Sequence, residues 1–231
     1  MICCIIQART GSTRLPKKVI QKIDGKNTVL DYVINQVKHS RKIEKIIVAT
    51  TDLIEDDSVC KYANLQKIEC FRGSSEDVLD RYYQCAKKFS IDIIVRITAD
   101  NPLIDPNIID MMINEYENKK VDYLTNTLER TFPYGTEVEI FSSKILENTW
   151  KNAKKPSERE HVTPFIRDPK NKFVLMNIKN SENFSNLRYT VDKIDDLKLV
   201  REIVKNISMR PIIIIISLFK TLNMREYYMK Y

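Results

Sequence analysis

Residues 9–18 bring together groups suited to binding phosphate. Arg9, Arg14, Lys17 and Lys18 carry positive charge, and Ser12 and Thr13 carry small hydroxyl donors. Gly11 lets the backbone approach a ligand closely. Guanidinium and ammonium groups set around such a glycine complement a polyphosphate. Two aspartates, Asp100 and Asp192, each follow an expected strand, where a carboxylate can hold a hard cation at a sheet edge. Each also reads as a local cap: Asp100 in an Asx turn, Asp192 at the start of the last helix. Two such carboxylates facing a basic loop favour Mg²⁺ bridging a nucleotide. His161 lies within Arg159-Glu160-His161-Val162-Thr163-Pro164. It reads equally as a helix residue with a satisfied hydrogen bond or as a group holding an anionic substrate beside Arg159. His39 ends a helix, where positive charge suits the dipole, and is assigned no function.

These residues need a frame that brings them to one edge. The apolar run 2–6 ends abruptly at the basic loop, as a strand buried in a parallel sheet does. Further strands are expected over 43–49, 68–71 and 91–97. Helices are expected over 28–39, from Asp56 to about 63, from Ser74 (as N-cap, with Asp77 three places on) to 89, and from Asp105-Pro106 to about 118. Alternating strands and helices predict an α/β fold, a mostly parallel central sheet between two helical layers. Thr50, Asp52, Ser74 and Asp100 would then share the edge that carries residues 9–18, where open α/β sheets bind ligands. Beyond Val121 the pattern shortens. Strands are expected over 122–125, 137–141, 173–178 and 187–190. Helices are expected over 143–153, over 157–166 behind a capping box, and over 195–206. Without a linker or repeat, residues 1–207 read as one domain, with 1–120 the nucleotide-binding half and 121–207 the acceptor and dimer half. Residues 208–231 form an atypical apolar ending.

Composition narrows the function classes. The 231 residues are 43% hydrophobic and 30% charged with a net charge of +7, the profile of a soluble globular domain that favours anionic ligands. No arginine-glycine tract, zinc module or RNP-like aromatic motif points to nucleic acid. The apolar run 212–218 falls short of the ~20 residues that cross a membrane, and Arg9 cuts the first apolar run too short for a signal peptide. The five cysteines include no CxxC pair. Cys3 and Cys4 read as buried thiols on opposite strand faces, which fits a reducing cytoplasm. There is no GxSxG elbow, Walker pattern or GxGxxG, which disfavours an enzyme nucleophile and dinucleotide chemistry.

The segment Ile5-Ile6-Gln7-Ala8-Arg9-Thr10-Gly11-Ser12-Thr13-Arg14-Leu15-Pro16-Lys17-Lys18-Val19 resembles the opening motif of the cytidylyltransferase superfamily. That group includes the Kdo and sialic-acid cytidylyltransferases, and the nearest branch is the spore-coat polysaccharide biosynthesis protein F family. Matches continue at Arg72-Gly73-Ser74, at Glu76-Asp77-Val78-Leu79-Asp80-Arg81-Tyr82-Tyr83 and at Arg96-Ile97-Thr98-Ala99-Asp100-Asn101-Pro102. They recur at Tyr134-Gly135-Thr136-Glu137, at Arg159-Glu160-His161 and at Arg188-Tyr189-Thr190-Val191-Asp192, so the resemblance spans residues 1–207.

The resemblance implies a three-layer, Rossmann-like nucleotidyltransferase (GT-A-like) fold and a cytoplasmic homodimer. It implies a CTP-dependent enzyme that activates an acidic or phosphorylated sugar, or a similar small acceptor. The product would be a CMP- or CDP-linked donor for surface polysaccharide or glycan synthesis, with pyrophosphate released. Arg9, Lys18 and Asp100 become the catalytic residues. Ala8, Arg9, Gly11, Ser12, Arg14, Lys18, Gly73, Ser74, Thr98 and Asp100 would bind the nucleotide, and Asp100 with Asp192 would bind Mg²⁺. Glu137, Arg159, His161 and Arg188 would meet the acceptor. Two other readings compete: a GT-A-type glycosyltransferase using a nucleotide sugar, and a non-catalytic nucleotide-binding homologue. Thr98 stands where the glycosyltransferase D-x-D motif has its first aspartate. The apolar ending departs from the family pattern.

Overall fold

The computed structural model describes residues 1–206. A single seven-stranded sheet runs through them in the order β3-β2-β1-β4-β6-β5-β7. The strands are β1 (Ile2–Gln7), β2 (Lys45–Thr51), β3 (Glu69–Gly73), β4 (Ile93–Thr98), β5 (Tyr123–Thr125), β6 (Glu139–Ser142) and β7 (Leu175–Asn177). β1 pairs in parallel with β2 and β4, and β2 with β3, while β6 runs antiparallel to β4 and β5. The chain winds outward from β1 to β3, then returns to place β4 on the other side of β1. The switch point between β1 and β4 is where such sheets open a ligand crevice.

Helices cover both faces because successive strand residues point to opposite sides. Ile2, Cys4 and Ile6 of β1 pack into one core with α1 (Val29–Lys38), α2 (Asp57–Leu65) and α4 (Pro106–Asn118). Cys3 and Ile5 enter the other core with α3 (Val78–Lys88) and α5 (Ser143–Asn152). The expected opposition of the two thiols is therefore present, and both are free and buried. Cys60 on α2 and Cys70 on β3, ten residues apart, form a disulfide. The thiol-only picture that favoured a reducing compartment does not extend to them.

Local signals set the helix starts. Thr28 and Asp31 form a reciprocal capping box on α1. Asp105 caps α4 with Pro106 at its first position. Three expectations need correction. Asp77, not Ser74, caps α3, accepting from Asp80 N at 2.8 Å; Ser74 Oγ instead accepts from Asp77 N and shapes the turn before it. The helix expected over 157–166 is two pieces, α6 (Pro156–His161) and α7 (Pro164–Arg167), broken at Val162 with φ 69°. The strand expected over 187–190 does not form. Tyr134 alone pairs with this strip, through Tyr134 N to Leu187 O and Tyr189 N to Tyr134 O, and at Gly135 (φ 99°) the backbone turns away. A third cluster fixes the strip all the same. Tyr189 and Val191 pack with Leu197, Val200 and Ile203 of α8 (Ile194–Asn206), so α8 positions Asp192. Burying each such aliphatic side chain contributes about 1.5–3 kcal/mol. No helix among the described residues is long and apolar enough to cross a membrane. The apolar run 212–218 lies outside the described residues.

Candidate active site

The 9–18 loop is built around Thr10. Its backbone N and Oγ both donate to Asp56 Oδ1, at 2.6 and 2.7 Å, while its carbonyl accepts from Ser12 N and Lys17 N. Asp56 stands at the N-cap position of α2 yet makes no capping bond; its carboxylate is spent on Thr10 and Thr51. Ala8 is buried and continues the sheet pairing through Ala49 O, which fixes where the loop departs. Arg9, Gly11, Thr13 and Arg14 are exposed around a cleft of about 270 Å³ whose floor includes Lys18, Thr98 and Asp100.

Lys18 is the centre of the charge pattern. Its Nζ lies 2.7 Å from Asp100 Oδ2 and 2.8 Å from Asp192 Oδ1, so one ammonium bridges the two aspartates. Arg14 and Arg188 also hold Asp192, at 2.8 and 2.5 Å, and Thr98 Oγ donates to Asp100 Oδ1 at 2.6 Å. Val191 N bonds to Asp100 O, which ties the two aspartate-bearing segments together. Burial works against charge here, but the partners win. The carboxylates hold the Lys18 ammonium above the usual lysine range, and Lys18, Arg188 and Arg14 hold Asp192 below the usual carboxylate range.

A second cleft of about 490 Å³ meets the first at Thr98 and Asp100. Its floor is the ion pair of Arg96 with Glu139, and Glu139 also accepts from Tyr123 and Thr163. Burial would raise the Glu139 pKa, yet Arg96 and these donors keep it low and the group ionised. Glu137 lies on the wall, accepting from Arg130, Gly135 N and Asn101. Arg130 stacks over the Tyr134 ring at 3.9 Å. His161 and Arg188 line this cleft, as does Arg167, which is exposed.

Arg159 is not brought there. Its Nε donates to Asp77 Oδ2 at 2.8 Å and its NH1 to Trp150 O at 2.8 Å, which locks α6 onto the start of α3. Its assignment to the acceptor is corrected to this tie. Gly73 and Ser74 lie at the end of β3 and outside the lining of either cleft. Asp56, Arg96, Arg130 and Arg167 carry no role in the sequence reading. An arginine inside the apolar strand Ile-Ile-Val-Arg-Ile-Thr was a usable signal for Arg96, since a buried charge demands a partner. Nothing local marked Asp56 as a support of the loop, since Thr10, which it holds, lies 46 residues away.

A family model for cytidylyltransferases matches residues 3–223. The chain belongs to the cytidylyltransferase family. Among relatives of this cytidylyltransferase, an uncharacterized protein of Methanocaldococcus jannaschii is 40% identical over 216 residues, covering 90% of this chain and 87% of that one. The spore coat polysaccharide biosynthesis protein SpsF of Bacillus subtilis is 31% identical, covering 96% and 94%. The solved structure of a cytidylyltransferase from Leptospira borgpetersenii superposes with a TM-score of 0.92 at 33% identity, covering 98% of this chain and 95% of that one. The fold is therefore the nucleotidyltransferase fold expected. The cytidylyltransferase carries its basic loop and both aspartates at the switch point of that sheet.

Proposed function

We propose that this cytidylyltransferase transfers CMP from CTP to an acidic or phosphorylated sugar, releasing pyrophosphate, in the synthesis of a surface polysaccharide or related glycan. The observation that carries this reading is the bridge of Lys18 to Asp100 and Asp192, directly below the loop of Arg9 and Arg14 and at the meeting point of two clefts. A triphosphate in the first cleft and an acceptor in the second would meet at Asp100.

The reaction forms a bond from an acceptor oxygen to the α-phosphorus and breaks the bond from that phosphorus to the bridging oxygen of the β-phosphate. The electron pair leaves with pyrophosphate, and a hydroxyl acceptor also gives up its proton. Such transfers rest on positioning and charge neutralisation. Arg9, Arg14 and Lys18 would take up charge on the departing pyrophosphate, with Gly11 and Ser12 allowing close approach of the loop backbone. His161, Arg167 and Arg188 would orient the acceptor's acidic group, with Glu137 on the cleft wall. Two carboxylates already gathered around one cation suit Mg²⁺, a hard ion that binds through one or two carboxylates plus substrate phosphates. Asp100 and Asp192 would hold magnesium, which when bound would neutralise charge on the phosphate oxygens.

The family resemblance further supports a cytoplasmic homodimer. A panel of nucleoside triphosphates crossed with acidic and phosphorylated sugars, read by pyrophosphate release, tests the reading. Release with CTP and one such sugar is expected, and Asp100→Ala should abolish it. An Asp100→Ala enzyme with full Mg²⁺-dependent release would overturn the assignment.

A further inference from the structure

Gln7 ends β1 at the switch point, and its side chain takes no part in the loop or in the Lys18 bridge. It stands beside Thr98 in the parallel register of β1 and β4, and its carbonyl accepts from Ala99 N, one residue before Asp100. Gln7 lines the cleft under Arg9 and Arg14. Its side chain is tied to the neighbouring cleft: Oε1 accepts from NH2 of Arg96, at 3.1 Å, and Arg96 lines the acceptor side.

That bond decides which way the carboxamide faces. A guanidinium carries donors and no acceptor, so the oxygen of Gln7, not its nitrogen, is turned to Arg96. Arg96 is itself held. Its NH1 donates to Glu139, which also accepts from Tyr123 and Thr163, and the arginine side chain is only 14% exposed. Turning the amide over would set donor against donor and lose a charge-assisted bond. Nε2 is therefore the end left over, with two N–H donors and no hydrogen-bond partner among the described residues. A donor fixed in direction at a cleft is preorganised for an oxygen of the ligand.

The position selects the oxygen. With CTP in the first cleft, the cations of the 9–18 loop face the departing pyrophosphate, and the acceptor occupies the cleft over β4 and β6. Gln7 lies at the seam of the two, beside Thr98 and next to the turn that carries Asp100, where the α-phosphorus has to be for attack. A neutral amide suits that place. The α-phosphoryl group keeps its charge and stays on the product, which a further cation would hold back.

We infer that Gln7 is a catalytic residue of the transfer, its Nε2 donating to a non-bridging oxygen of the α-phosphate, and that Arg96 is the positioning residue that keeps this nitrogen turned to the cleft. This rests on the reading of the first cleft as a CTP site. The test follows pyrophosphate release from CTP and from each diastereomer of CTP carrying sulfur on the α-phosphorus, with the fastest-reacting acidic or phosphorylated sugar as acceptor. Wild-type protein, Gln7→Met, Arg96→Lys and the double variant are compared, with thermal unfolding of each. Gln7→Met should lower kcat by about 10²–10³, the loss expected for one preorganised donor, with acceptor KM and Tm near wild type. Sulfur accepts a hydrogen bond poorly, so one diastereomer should slow wild-type protein more than it slows Gln7→Met. Arg96→Lys keeps a cation for Glu139 without a second nitrogen for Gln7 and should also lower kcat. Added to Gln7→Met it should cost little more, since the group it positions has gone. Wild-type kcat in Gln7→Met, an undiminished sulfur effect, or a change confined to acceptor KM overturns the inference, and additive losses overturn the role of Arg96. The Gln7→Met results decide the catalytic claim even where Arg96→Lys fails to fold. Wild-type protein that releases no pyrophosphate with any sugar defeats the transfer reading itself, and this inference with it.

Discussion

Replacing Lys18 by methionine removes the cation that joins Asp100 to Asp192 while keeping most of its apolar stem. The Lys18 side chain is 13% exposed, against 23% for Asp100 and 14% for Asp192. These pairs lie between an exposed ion pair, worth about 0–1 kcal/mol, and a buried one, whose broken form costs about 3–5 kcal/mol. The variant should therefore lose about 2–3 kcal/mol, a fall in Tm of about 4–12 °C for a chain of this size. Turnover should suffer more. An ammonium aimed at developing phosphate charge is worth about 10²–10³ in kcat. The two effects are separable with magnesium. Without Lys18, Asp100 loses its ammonium and Asp192 keeps only Arg14 and Arg188, so the pair attracts the ion more strongly and Mg²⁺ should raise the Tm of Lys18→Met more than that of wild type. Thermal unfolding with and without Mg²⁺, alongside pyrophosphate release, measures all three. A Lys18→Met protein with wild-type Tm, no added response to Mg²⁺ and wild-type kcat refutes the reasoning.

The remaining predictions concern the supports of the site. Gly135→Ala should destabilise by about 2–5 kcal/mol, since its φ is 99° and a Cβ would fall 2.5 Å from Thr190 N. Chemical denaturation would show it, together with weakened acceptor use as the 187–192 strip shifts. Arg159→Ala should lower Tm by freeing α6 from Asp77 while leaving the acceptor KM unchanged; a raised acceptor KM at unaltered Tm would restore Arg159 to the cleft. Stability should hold above about pH 5 and fall between about pH 4 and pH 2. Burial would raise the Asp24 pKa, but hydrogen bonds from Asn27, Lys26 and Tyr32 hold it at about 2, and Glu139 and Asp192 are also held low. Groups with depressed native pKa values contribute stability above the unfolded pKa and lose it as pH falls through the native one. The raised Lys18 pKa acts oppositely, its contribution being lost only in strong alkali. Unfolding midpoints across pH check both signs.

The sheet and its helices were legible because period and punctuation agree there. β1 ends at a charged loop, and Asp105-Pro106 opens α4 as its residue types demand. Ser74 misled because a serine with an acidic residue three places on imitates a cap, while Asp77 has the better geometry one turn-length later. The break at Val162 had its signal in Pro164, which opens α7 two residues on, and not in the buried valine itself. The stretch 187–190 looked like a strand but is held by packing against α8 and by its pairing with Tyr134. Lys18, Asp100 and Asp192 were found by residue type and position. Their convergence on one nitrogen depends on contacts 82 and 174 residues apart, which only the folded sheet brings about. Arg159 shows the converse, a charged motif residue used to lock two helices.

The central claim is attack at the α-phosphorus of CTP beside Asp100. CTP labelled with ³²P at either the α or the γ position, incubated with Mg²⁺ and an active acceptor, tests it most directly. The account predicts that α label enters the sugar product while γ label leaves as pyrophosphate. Label from the γ position in the sugar, or α label recovered only as free nucleotide, would contradict it.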